Sequence, residues 1–322
     1  MLNSNKFDLS GLRNYLVWVL AEKMGTIPFV PHCEWVQLYV NNEYRGMYMV
    51  TDLVEVAKER VNVDDKVAGE DKGFLIEFDF RGNYDDEPYF YLDNYGPTAR
   101  ENLHSAVEVC IKSHITTDEN GVPDQEEIDA IADYLKRCND AIFNGADRAK
   151  IDELIDIPSL IDMYIIEELT KDCDVGRASF FVQRDVGGKL YFTAPWDFDF
   201  GFGTYGPATS NWGLVSTGSE GCPWYGELLL HEWFVEEVLA RMKELDDVLT
   251  ETLQAVRDKA KEIEGAADAN AYFWNMYGRS FHAYVSSQVS RYLDSYEEHI
   301  DFLVDWTVER WENMKTHISE YL

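Results

Sequence analysis

Two carboxylates stand among large apolar side chains in the run Tyr191-Phe192-Thr193-Ala194-Pro195-Trp196-Asp197-Phe198-Asp199-Phe200-Gly201-Phe202-Gly203. An ionised carboxylate in such surroundings is costly unless a cation, a donor or a proton compensates it. Asp197 and Asp199 are two residues apart, so on an extended chain both point to one face. Two acids on one face make half of an oxygen-ligand site for a divalent cation. The structural alternative is a strand end whose acids cap the next turn. An acidic pair between Trp and Phe is unusual enough to favour chemistry.

A third acid belongs with them. Asp172-Cys173-Asp174-Val175-Gly176-Arg177-Ala178-Ser179 reads as a polar loop after a helix. The strand Phe180–Arg184, a turn at Gly187-Gly188 and a second strand then carry the chain to Asp197. A hairpin brings its ends together, so Asp174 and Asp197 can share a cleft. Protein kinases use this order of parts: an acid orients the hydroxyl, a residue five places later helps hold metal, and a hairpin leads to a metal-binding acid. Here the residue five after Asp174 is Ser179, where kinases carry Asn. A carbohydrate-active protein, with Asp197 or Asp199 as acid or base among stacking aromatics, is a competing expectation. Against it, two acids on one strand are poorly placed to flank a glycosidic bond.

The elements that must position these acids follow from periodicity. Asp8 or Ser10 is expected to cap a helix whose stripe is Leu12, Tyr15, Leu16, Val19 and Leu20, with Arg13 and Glu22 off it and Gly25 ending it. Trp35–Val40 and Tyr44–Asp52 alternate as a hairpin around Asn41-Asn42-Glu43. Gly73–Phe80 is a third strand, Val63–Lys72 an exposed loop, and 81–95 a ragged strand pair. Thr116–Glu127 has oxygen-bearing residues at several calcium-loop positions, but begins with Thr and has Pro at position eight, so a turn leading into a helix cap is the better account. Helices are expected over Glu126–Phe143, Pro158–Lys171, Leu228–Leu245, Val248–Ile263 and Tyr284–Leu322. The stretch Thr204–Pro223, with Trp212, is a long loop of a kind that is often functional.

Composition narrows the partners. The chain of 322 residues carries 60 acidic and 28 basic side chains, a net charge of −32, which disfavours nucleic acid and anionic lipid and favours cations or basic proteins. The five cysteines have neither metal-ligand nor redox spacing. No apolar run is long enough to span a membrane. Met1–Lys6 lacks the basic start and apolar stretch of a signal peptide, so the protein is expected either to stay inside the cell or to begin downstream of a removed segment.

Three segments resemble the spore coat protein H (CotH) family of atypical protein kinases. Phe7-Asp8-Leu9-Ser10-Gly11-Leu12-Arg13-Asn14 is similar to its D-x-S-x-L-R-N helix start, Val40–Tyr48 to its N-G-E-Y-x-G-x-Y hairpin, and Pro195-Trp196-Asp197-Phe198-Asp199 to its P-W-D-x-D element. The resemblance implies an α+β, protein-kinase-like fold of two lobes. About 1–115 would be a reduced sheet-bearing lobe lacking the first kinase strands. About 116–322 would be a mainly helical lobe carrying the Asp174–Gly203 hairpin. It implies ATP as substrate, Mg2+ or Mn2+ as cofactor, and Ser or Thr of a spore-coat, secreted or cell-surface protein as acceptor. Asp174 would be catalytic. Asp197, Asp199 and Ser179 would serve the metal. Asp52, where the family's hairpin ends in Glu, and Glu77 would lie on the nucleotide side. A non-catalytic scaffold of the same family is the alternative, because the strands bearing the phosphate-covering loop and its basic residue have no counterpart here.

Overall fold

The computed structural model describes residues 1–67, 69, 71–82, 87–95, 106–205, 214, 222–278 and 293–322. The expected Trp212 loop and the start of the last expected helix, including Tyr284 and Tyr292, fall outside them.

Among the described residues the fold mixes eight helices with antiparallel sheets. The hairpin of β2 (Cys33–Val40) and β3 (Glu43–Thr51) joins a short β1 (Leu2–Asn3) in a three-stranded sheet of order β1-β3-β2. Asn41 and Asn42 both take positive φ (52° and 64°), the geometry a two-residue hairpin turn needs and Asn tolerates. The second sheet contains β4 (Phe74–Phe78), β5 (Tyr89–Asp93), β6 (Ala106–Ile111), β7 (Phe180–Arg184) and β8 (Leu190–Thr193), in the order β5-β6-β4-β7-β8. The Asp174–Asp197 hairpin therefore continues a sheet begun by residues before 115. β4 and β7 are buried along their whole length, as expected of central strands covered on both faces.

The helices are α1 (Arg13–Met24), α2 (Gln125–Phe143), α3 (Arg148–Leu154), α4 (Ile157–Thr170), α5 (Pro223–Leu228), α6 (Glu232–Glu244), α7 (Asp246–Trp274) and α8 (Tyr296–Ser319). Asp124, Asp147 and Asp156 cap α2, α3 and α4, each accepting a backbone N–H of the first turn. Such caps contribute about 1 kcal/mol each. Ile128, Ile131, Leu135 and Ile142 of α2 and Ile161, Tyr164, Ile165 and Leu169 of α4 are buried, and α4 is enclosed by β8, α1, α6 and α8.

Several expectations change. α1 starts only at Arg13, because Asp8 turns its carboxylate to the Ser10 and Arg13 N–H groups and to the Arg13 guanidinium. Arg13 lies off the apolar stripe yet is fully buried, because that ion pair neutralises it. Among the described residues of 63–72, Val63, Asp65 and Lys72 are not exposed but buried, Lys72 against Glu127 and the Asp65 carbonyl. Glu127 also accepts from Thr116, so the last oxygen of the imagined calcium loop ties a turn to α2. α3 was not foreseen, and α7 runs well past Ile263. All five cysteines are free thiols. No described helix is long and apolar enough to cross a membrane.

Candidate functional site

The end of β8 does not stay extended. Ala194 and Asp197 take positive φ (47° and 70°), and Phe198–Phe200 forms one 3-10 turn. Asp197 and Asp199 therefore meet across a turn and not by strand alternation, which corrects the expectation. The cause lies in α1. Trp18 donates its indole N–H to the Pro195 carbonyl (2.7 Å), Asn14 accepts the Phe198 N–H (2.9 Å), and Arg13 donates to the Gly201 carbonyl (3.3 Å). On the other side, Phe202 N–H donates to the Thr170 carbonyl at the end of α4 (2.7 Å). Four hydrogen bonds from two helices fix the segment.

α4 also launches the Asp174 loop. Lys171 caps it in the left-handed region, and Arg177 and Ala178 N–H groups fold back on the Asp174 carbonyl. Tyr95 holds the Gly176 carbonyl (3.0 Å), and a Cβ on Gly176 would come within 2.8 Å of Cys222, so only glycine fits there. Arg310 of α8, itself fully buried, grips both the carboxylate and the carbonyl of Glu168.

The two loops converge on one acidic cluster. Burial first, then the Asp174 charge, raises both Asp172 and Asp197, and Asp172 also feels Asp197 and Asp199. Burial, with Asp197 and Asp8 beside it, pushes Asp199 up to about 8 despite Arg13. Burial and the charges of Asp172 and Asp174 hold Glu167 far above the carboxylate range. Ser179, in the left-handed region, sits close enough to Asp197 for its hydroxyl to oppose the rise there. Asp172 Oδ1 and Glu167 Oε2 are buried with no hydrogen-bond partner among the described residues. Carboxylate oxygens this crowded and this poorly compensated suit a hard divalent cation such as Mg2+ or Mn2+. Asp197 lines a cavity of about 330 Å³ with Asn14, Trp18 and Trp196; Trp18 also faces a larger one of about 970 Å³.

The family model of the CotH kinase protein matches residues 1–314. The chain belongs to the CotH family. Comparison with curated proteins finds no match. The three CotH-like segments pack on one another. The first supplies Asp8, Arg13 and Asn14, which hold the third. The hairpin lies against the first: Trp35 donates to the Gly11 carbonyl (3.3 Å), and a Cβ on Gly11 would be 3.4 Å from Met47. Gly46 takes φ +115°, and a Cβ there would lie 2.6 Å from Asn270 of α7, which accounts for glycine in the hairpin motif.

Asp174, Asp197, Asp199 and Ser179 are thus neighbours. Asp52 and Glu77 are not among the charges that Asp197 and Asp199 feel most. Asp52 ends beyond β3 at the rim of the larger cavity, near His32 (3.4 Å) and Arg60 (3.9 Å). Glu77 is buried on β4 and paired with Lys112 (3.0 Å), and burial pushes it up to about 7. Arg13 pairs with Asp8 and its charge lowers Asp199, whereas Arg45 pairs with Glu43 and Arg184 sits over the Tyr134 ring at 4.1 Å. Arg81, half-exposed and bonded through two nitrogens to Asp79, is the basic side chain whose charge Asp197 feels. Sequence reasoning missed Arg81, Glu167 and Asp172. Asp172 had a signal, its place two residues before Asp174; the other two are brought in by pairing of β4 with β7 and by the end of α4.

Proposed function

We propose that the protein is an atypical protein kinase with a two-lobe, kinase-like architecture divided near residue 115, transferring the γ-phosphate of ATP to Ser or Thr of a coat or surface protein. The observation that carries this assignment is the convergence of Asp174 with Asp197 and Asp199, loop and hairpin end, in a family of kinase proteins. Asp174, the more open of the acids, accepts the hydroxyl proton as the oxygen bonds to phosphorus and the bond to the ADP oxygen breaks. Asp197 and Asp199 hold Mg2+ or Mn2+, with Ser179 fixing Asp197. A cation bound there offsets phosphate charge. Arg81 supplies positive charge on the phosphate side. Asp52, at the rim of the larger cavity, and Glu77, on the central strand β4, belong to the nucleotide side in this reading.

The test combines binding and turnover. ATP with Mg2+ or Mn2+ should raise the melting temperature by mass action, and labelled γ-phosphate should enter a Ser-rich protein or the chain itself. Asp197→Ala should abolish both signals. Asp174→Asn should abolish incorporation while keeping the thermal shift. A chain indifferent to nucleotide would be a scaffold, and one that binds polysaccharide instead would be a carbohydrate-active protein.

A further inference from the structure

Asp172 on the Asp174 loop and Glu167 at the end of α4 are acids that phosphotransfer does not use. Asp172 and Asp174 flank Cys173, and one ligand atom from each of the three lies within 4.8 Å of the others. The left-handed cap at Lys171, with Asp172 N–H reaching back to the Glu167 carbonyl, returns Asp172 to the side of Glu167. Asp172 is 3% exposed and Glu167 4%, and an oxygen of each is buried without a hydrogen-bond partner among the described residues. Asp174 is 37% exposed at its side chain, so the group opens to solvent on one side. Arg177 meets it on that side, 3.6 Å from Asp174 and donating to the Cys173 carbonyl.

We propose that Asp172 and Asp174, with Glu167 behind them, hold a divalent cation that binds without nucleotide and that needs Asp172 and Glu167, two acids outside the Asp197–Asp199 pair. Buried, unpartnered carboxylate oxygens beside the Asp172-Cys173-Asp174 group and an open rim are what such a site needs. The neighbouring thiol favours a first-row ion such as Mn2+, which takes oxygen ligands and tolerates sulfur, over Ca2+, which needs more oxygens than the loop offers. The inference goes beyond phosphotransfer; it shares Asp174 with that reading and otherwise stands on Asp172 and Glu167.

Mn2+ titrated into the full chain without nucleotide, followed by loss of the free-ion paramagnetic resonance signal and by melting temperature, tests it. The wild type should bind and melt higher. Asp172→Asn should weaken binding about tenfold or more, and Glu167→Gln by up to about tenfold. Asp197→Ala should lose the ATP-dependent shift yet keep nucleotide-free binding. In EDTA, Asp172→Asn should melt no lower than the wild type, since the buried Asp172 Oδ1 has no hydrogen bond among the described residues to lose. If that variant fails to fold, Glu167→Gln decides. A wild type that takes no Mn2+ alone, or foldable variants that all bind as it does, overturns the site. Retained Mn2+ binding without any response to ATP overturns the kinase assignment and leaves this site standing.

Discussion

His299 sits fully buried on α8 against the Tyr277 ring, with neither ring nitrogen hydrogen-bonded among the described residues. Burial, reinforced by Arg13 and opposed by Asp8, drops the imidazole from its ordinary 6.5 to about 3. The unfolded chain therefore takes the proton first as pH falls. Stability is lost from about pH 6.5 downward, by up to about 1.4 kcal/mol per pH unit while the folded imidazole stays neutral. His299→Leu should flatten this component: the wild type should lose melting temperature relative to the variant between about pH 7 and pH 5. A difference that stays constant over that range would show that His299 does not titrate on unfolding. At this scale the sequence is deceptive. Asp8 looks like a helix cap and Arg13 like a surface charge, because nothing local reveals that Gly201, 188 positions away, needs a buried donor.

At the scale of elements, α1 and the Pro195–Gly201 segment form one unit. Asn14→Ala leaves the Phe198 N–H buried and unpaired, and Trp18→Phe does the same to the Pro195 carbonyl. Each should cost about 1–3 kcal/mol in denaturant unfolding. Both should also weaken the nucleotide-dependent thermal shift more than Lys23→Ala, whose partner Glu251 is a surface residue far along the chain. Equal effects of all three would mean that α1 supports stability alone. The β2–β3 hairpin, β4, β7, α2 and α4 were readable because alternation, the Asn-Asn turn and helical periodicity are local signals; β6 and α3 were not. The order β5-β6-β4-β7-β8 was not, since strand partners are chosen by packing. The turn at Asp197 was not either, because the run from Tyr191 keeps a strand-like alternation until hydrogen bonds from α1 break it.

For the whole molecule, the net charge of −32 sets how partners approach. A protein acceptor flanked by Lys or Arg should be drawn in faster than a neutral one, and its kcat/KM should fall as salt rises across the range in which the screening length drops from about 10 Å to about 3 Å. A neutral-flanked acceptor of the same Ser should show little salt dependence. Equal slopes would remove long-range attraction from the recognition of substrate. Salt should meanwhile raise the melting temperature by damping self-repulsion.

Trp18 has a second consequence. Its ring borders both cavities while its N–H grips the peptide carbonyl two residues ahead of Asp197. A molecule filling the larger hollow cannot press on that indole without tugging the carboxylate next door. One side chain thus serves as a mechanical linkage between occupancy at one address and geometry at another.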